Sequence, residues 1–218
     1  MAGIITALVV QKRNKQRVNV YLDGEFAFGL ALVEAARLRK GQRLTDEDVA
    51  RLRALDEVEQ AHERALHFLS FRPRSAEEVR RNLRHSKQQF SEKTIDSVLE
   101  RLQGAGLVDD FAFARYWVEN REQFGPRSAR ALRYELRQKG VPDEAVRAAM
   151  EELDQDEAAY QAAREVAHRH PAGDERAFRK RLGAHLARRG FDYSTIRGVL
   201  DRLWAEMTAQ PETPADHE

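Results

Sequence analysis

One arrangement of apolar residues occurs three times in this chain. Leu83, Leu136 and Leu186 each follow an apolar residue four positions earlier: Val79, Leu132 and Leu182. A break comes next, then an apolar residue: Phe90, Val141 after Gly140 and before Pro142, and Phe191 after Gly190. Five residues on stand Ile95, Val146 and Ile196, and four further on Leu99, Met150 and Leu200. Apolar residues four apart share one face of a helix. A period of about 50 residues marks a stack of one supersecondary unit. The expected fold is therefore mainly α: tandem three-helix, helix-turn-helix-like repeats in an elongated stack. Such stacks present extended binding surfaces and seldom enclose a catalytic pocket. The balance of 42% hydrophobic and 33% charged residues suits small units that each bury a narrow stripe.

The first 55 residues differ in kind. Ile4–Val10 is rich in β-branched residues, Lys12-Arg13-Asn14-Lys15 is a polar turn, and Val18–Leu22 alternates with period two. Asp23-Gly24 is a hairpin signal, and Phe26-Ala27-Phe28 continues the alternation. These residues predict a three-stranded meander, then a short helix near Ala31–Arg37 that Gly41 ends. Thr45-Asp46-Glu47-Asp48 reads as another capped helix start. The expected divisions are 1–55 for this β-containing segment, 56–107, 108–153 and 154–207 for three repeats, and 208–218 for a disordered tail.

Within the first repeat, helices are expected near Glu57–Ser70, from a Ser75 cap to about His85, and from a Ser91 cap to about Gln103. Those of the second are expected near Phe111–Glu122, Arg127–Lys139, and onward from Pro142 as first residue. Those of the third run from about Asp156 to His168, over Glu175–Arg189, and from a Ser194 cap to about Met207. Pro171 and Gly173 separate the first two of these. The tail from Gln210 to Pro214 lacks apolar anchors.

With a formal net charge of only +1, affinity for an anionic partner has to come from local segregation of charge. The second helix of each unit supplies it. Arg72, Arg74, Arg80, Arg81 and Arg84 lie at the first, Arg127, Arg130, Arg133, Arg137 and Lys139 at the second, and Arg179, Lys180, Arg181, Arg188 and Arg189 at the third. Acidic residues gather elsewhere, as in Glu151–Glu157. Arg130, Arg133 and Arg137 form a stripe beside the Leu132–Leu136 stripe. One stripe suits a core and the other a partner. Arginine outnumbers lysine here, which favours carboxylate or phosphate contacts without choosing between them.

Signs of other chemistry are few. There are no cysteines, so disulfides, thiol catalysis and cysteine-ligated zinc are excluded. His168 and His170, and likewise His62 and His67, diverge on a helix and gain no third ligand. No phosphate loop, dinucleotide fingerprint or serine-nucleophile motif occurs. Phe111, Phe113, Tyr116 and Trp117 cluster on one helix, where core packing outweighs base stacking. The expectation is a protein with no catalytic residues, metal or cofactor. No apolar run approaches the ~18–20 residues that span a bilayer, and no signal peptide is evident, so a soluble cytoplasmic protein is expected.

The string Gly106–Trp117 (GLVDDFAFARYW), followed by Arg121 and Gly125-Pro126, resembles the bacterial regulatory protein RecX family. So do Phe71–Val79 (FRPRSAEEV) and Leu136–Val141 (LRQKGV). The likeness covers about residues 58–203, and Ile5–Leu8 with Asn19–Phe26 resembles the amino-terminal extension of longer members. His85-Ser86-Lys87-Gln88-Gln89 departs from it by replacing a Lys-Gly turn. The resemblance implies tandem three-helix repeats and a modulator of the RecA recombinase. Such a modulator lodges in the groove of the RecA–DNA filament. It hinders filament growth, ATP hydrolysis, strand exchange and repressor self-cleavage. The basic residues above are then the expected contacts to RecA, DNA or both. A monomer is expected, whose helices of ~20 Å each let three units cross more than one RecA protomer. The alternative is a helix-turn-helix DNA-binding protein or transcription regulator that acts without RecA.

Overall fold

The computed structural model describes residues 2–167 and 174–209. His168, His170, Pro171, Gly173 and the tail from Gln210 lie outside the described residues. The protein is mainly helical, with a small β segment at the amino terminus. It divides into two compact units, Met1–Val108 and Asp109–Glu218.

In the first unit, strands β1 (Gly3–Val10), β2 (Arg17–Leu22) and β3 (Glu25–Ala31) form an antiparallel meander. The Asp23-Gly24 turn has positive φ at both residues, 51° and 93°. That is the geometry a two-residue hairpin with right-handed strand twist requires. Alternation places Val18, Val20, Leu22, Phe28 and Leu30 on the buried face with Ile5. After a short helix, α1 (Leu32–Ala35), a two-residue strand β4 (Arg43–Leu44) pairs with β1. The sheet therefore has four strands in the order β3-β2-β1-β4, one more than the predicted meander. Two residues carry too little alternation to announce a strand.

Thr45 closes a capping box with Asp48 and starts helix α2, which runs unbroken from Asp46 to Leu69. The separate helix start expected near Glu57 does not exist. No Gly or Pro interrupts these 24 residues, so nothing stops propagation. What changes midway is the core that the helix serves. Val49 and Leu52 pack under the sheet, whereas Ala61 and Ala65 pack into the first repeat. Between them lies a polar waist: Asp56 Oδ2 accepts from Arg17 Nη2 at 2.7 Å and from Gln60 Nε2 at 2.6 Å. Gln88 Nε2 in turn donates to Gln60 Oε1 at 2.7 Å.

The first repeat is completed by α3 (Ala76–Arg84), capped by a Ser75–Glu78 box, and α4 (Glu92–Gly104), capped by Ser91. The second unit contains α5 (Asp110–Phe124), α6 (Ala129–Gln138), α7 (Asp143–Met150), α8 (Gln155–Ala167), α9 (Glu175–Arg188) and α10 (Tyr193–Ala209). Two caps differ from expectation. Pro142 is the N-cap of α7 and not its first helical residue. Asp192, not Ser194, caps α10: its Oδ1 accepts from the Thr195 N–H at 2.9 Å and from Ser194 Oγ at 2.6 Å. A carboxylate offers full charge to the helix N-terminus, which a hydroxyl lacks.

Every residue of the internal echo named at the outset is buried or nearly so, with Val79, Leu83, Leu132, Leu136, Leu182 and Leu186 all at 0% exposure. The turn after the second helix is not the same in all three repeats. After α6, Gly140 (φ 71°) lets Val141 N–H reach Leu136 O at 3.1 Å. After α9, Gly190 (φ 91°) does the same for Phe191 and Leu186 at 3.3 Å. Both are glycine-terminated C-caps. The first repeat takes a turn two residues longer and gives the left-handed position before Phe90 to Gln89 (φ 49°).

Candidate docking faces on the second helices

With the leucine frame buried, four positions per repeat occupy the opposite side of the second helix. They are Glu77, Arg80, Arg81 and Arg84 on α3, Arg130, Arg133, Tyr134 and Arg137 on α6, and Lys180, Gly183, Ala184 and Ala187 on α9. The third helix of each repeat runs alongside. Counting from the echo, it contributes Glu92 and Asp96 in the first repeat, Asp143 and Arg147 in the second, and Tyr193 and Arg197 in the third. One contact verifies the alignment physically. Arg84 Nε meets Glu92 at 2.8 Å, and at the matching positions Arg137 Nε meets Asp143 at 3.0 Å.

In the first repeat this face neutralises itself. Arg80 Nη1 lies 2.7 Å from Asp96 and 3.5 Å from Glu92, Arg81 Nε lies 2.8 Å from Glu77, and Arg84 grips Glu92 through two bonds. The hydrogen bond from Arg84 holds the Glu92 carboxyl below its ordinary pKa, and Glu92 raises that of Arg84. The flanking arginines are engaged as well. Arg72 forks onto Glu78 at 2.8 and 3.1 Å. Arg74 lies over the Phe68 ring, 4.0 Å from its centroid, where burial and then the nearby Arg72 lower its pKa.

In the second repeat the face is left charged. Arg130 and Arg133 are exposed and make no hydrogen bond or ion pair among the described residues. The place of Asp96 is taken by Arg147, also exposed. The two positions that form a 2.7 Å ion pair in the first repeat thus both carry positive charge. Between the arginines stands Tyr134, with 65% of its surface exposed. The other basic residues here are engaged. Arg127 and Arg121 both pair with Glu135, at 3.1 and 3.0 Å, and Lys139 lies 4.0 Å from the Trp117 ring centroid. Trp117 donates to Glu135 at 2.8 Å and stacks on Phe113, which is core at 2% exposure, while Phe111 remains 41% exposed.

In the third repeat the same face is nearly bare of long side chains. Gly183, Ala184 and Ala187 floor an open groove of ≈ 490 Å³ against Ile196 and Leu200, with Tyr193 and Arg197 beside it. Lys180 and Arg188 are exposed and unpaired among the described residues. Arg181 is exposed too. Arg179 bridges Glu175 and Asp201, both at 2.7 Å. Arg189 is a joint between repeats. It donates to Pro126 O at 3.0 Å and to His185 Nε2 at 2.9 Å, and its carbonyl accepts from Ser128 N–H at 3.2 Å.

Reading only the basic residues of the second helices overlooks Tyr134 on α6, Arg147 on α7 and Arg197 on α10. The signal that locates them is the same echo, followed position by position across both the second and the third helices. Among the described residues no group of three or more His, Asp or Glu is placed to hold a metal ion, and no helix is long and apolar enough to cross a membrane.

Comparison with known proteins agrees along the chain. Residues 3–45 match the regulatory protein RecX N-terminal domain, and residues 61–102, 109–150 and 154–200 match the first, second and third RecX three-helix domains. Regulatory protein RecX of Prosthecochloris aestuarii is 41% identical over 149 residues, 67% of this chain and 95% of that protein. Its namesake in Bacillus licheniformis is 31% identical over 201 residues, 90% of this chain and 76% of that protein. A crystal structure of regulatory protein RecX superposes with a TM-score of 0.69 at 28% identity, covering 92% of this chain and all of that one. With four consecutive domain matches spread over both of its compact units, this chain belongs to the RecX family of regulatory proteins.

Proposed function

We propose that this protein is a negative regulator of the RecA recombinase that acts in the cytoplasm without a catalytic step of its own. It binds the RecA–DNA filament in its groove and slows filament growth, ATP hydrolysis, strand exchange and stimulated repressor cleavage. In this way it tunes recombinational repair and the SOS response. Family membership supports the regulatory role. The observation that carries the contact is the α6 face, where Arg130, Arg133 and Arg147 stand exposed without a carboxylate partner among the described residues. A cationic face that is not neutralised from within gains most from an anionic partner, and its contacts weaken with salt.

The test is the ATP hydrolysis rate of RecA filaments preformed on single-stranded DNA, with this protein added substoichiometrically. The rate falls with the native protein and recovers with the triple variant Arg130→Ala, Arg133→Ala, Arg137→Ala at unchanged helicity. Full inhibition by the triple variant removes α6 from the contact. No inhibition by the native protein, together with tight binding to naked duplex, replaces this reading with a DNA-binding regulator that works without RecA.

A further inference from the structure

The three equivalent faces differ in what they leave unsatisfied, and the second differs in a way that selects its ligand. Arg80 and Asp96 show that a side chain at the second of these α3 positions reaches its counterpart on the third helix, at 2.7 Å. In the second repeat the same two positions are Arg133 and Arg147. Two guanidinium groups so placed repel each other, and a shared anion between them relieves the repulsion. A phosphate matches the donor fork of arginine in two-point bonds. Arg130 lies one turn before Arg133 on the same side of α6, which extends the cationic track along about 10 Å of helix to Arg137. Arg137 itself is tied to Asp143.

Tyr134 decides between phosphates of a nucleic acid and carboxylates of a protein. The residue is 65% exposed and flanked in sequence by Arg130, Arg133 and Arg137. The corresponding residue is Arg81, paired with Glu77, in the first repeat and Ala184 in the third. The exposed aromatic therefore occurs on the face whose cations are open, and not on the face that neutralises itself. Carboxylates satisfy arginines but offer the ring no flat partner. A strand of unpaired bases supplies both the phosphates and a planar face to stack on.

We propose that the α6 face of the second repeat binds single-stranded nucleic acid, with Arg130, Arg133 and Arg147 on its phosphates and Tyr134 stacked on a base. This deepens the regulator reading, on which its biological setting rests. It assigns the strand, and not a RecA carboxylate, to this face. Discrimination against duplex follows, because paired bases present no free ring face to Tyr134.

The experiment is fluorescence anisotropy of a labelled oligothymidylate, and of a labelled duplex, titrated with the full chain over a range of salt. The native protein binds the single strand more tightly than the duplex. Tyr134→Leu weakens single-strand binding by about tenfold, with little change for duplex, and Tyr134→Trp retains binding. Arg133→Ala with Arg147→Ala lowers the slope of log affinity against log salt by about 1.4. Far-UV circular dichroism checks that each variant is folded. Equal affinity of Tyr134→Leu and native protein for the single strand overturns the stacking assignment. Absence of strand binding by the native protein while RecA hydrolysis is still inhibited overturns the strand and leaves the regulator reading standing. Strand binding without any effect on RecA does the reverse.

Discussion

The second helices of the first and second repeats look alike in the sequence and behave oppositely in the fold. Each follows the same buried frame, and each carries three arginines beyond those near its start. On α3 the cations are consumed by Glu77, Glu92 and Asp96. On α6 Tyr134 replaces Arg81 and Arg130 takes the place of Glu77, and on the neighbouring α7 Arg147 replaces Asp96. The lesson concerns where availability is decided. A run of arginines becomes a docking face or a solvated ion-pair lattice according to the residues on the neighbouring helix. Exposed pairs of the second kind add little stability, and their effect is to remove charge from the surface.

The severest way to break this comparison is to attack the frame that defines it. Leu83→Ala and Leu136→Ala remove fully buried side chains at matching positions. Each should cost about 2–5 kcal/mol in chemical denaturation. A cost near zero for either would mean that its side chain is not part of the buried frame.

A gentler change exchanges the two faces. Arg147→Asp rebuilds in the second repeat the pair that Arg80 makes with Asp96, and should lower single-strand affinity by about tenfold. Glu92→Gln with Asp96→Asn releases Arg80 and Arg84 from these partners and should raise affinity and salt dependence, with stability almost unmoved. Identical salt slopes for all three proteins would show that neither face meets a polyanion.

The turns sharpen the contrast further. Gln89 holds the left-handed place that glycine holds at positions 140 and 190. Gln89→Gly should stabilise the first unit by roughly 0.5–1 kcal/mol, read as a higher denaturation midpoint, because the side chain disfavours that conformation. Gly190→Ala should do the opposite, since an added Cβ would lie 2.7 Å from Ser128 Oγ.

The smallest effect is a titration. Glu92 is held below its ordinary pKa of 4.5 by Arg84. A depressed carboxylate contributes stability that is present above its unfolded pKa and is lost as pH falls through the folded one. The first-repeat lattice should therefore persist throughout the neutral range and release its arginines only in acid. Carboxyl resonances in NMR should show Glu92 titrating below an ordinary glutamate, and a value at or above 4.5 would contradict the pairing.

Much of this architecture is readable in the residues, for identifiable reasons. The Leu83, Leu136 and Leu186 frame is visible because burial enforces a fixed spacing, and Asp23-Gly24 announces its hairpin because few residues accept two positive φ angles in succession. The continuity of α2 is harder to see. Its apolar stripe changes core near Asp56, and the interruption of pattern imitates an interruption of helix. Strand β4 is too short to alternate. Of the candidate docking residues, the positions are legible but their pairing is not. Whether Arg80 is occupied depends on Asp96, sixteen residues away, and that requires knowing how the third helix lies against the second.

The unbroken α2 has a consequence for how the first unit comes apart. Its amino-terminal half closes the core beneath the sheet and its carboxy-terminal half closes the core of the first repeat, with Asp56 and Arg17 tied between them at 2.7 Å. A helix propagates stability along its length, so fraying at either core reaches the other. The sheet and the first repeat should therefore melt as one cooperative unit, and a deletion ending at residue 55 would not excise a module. It would cut α2 within the turn before Asp56, discarding the Arg17 partner of that carboxylate and leaving the repeat with an uncapped helix.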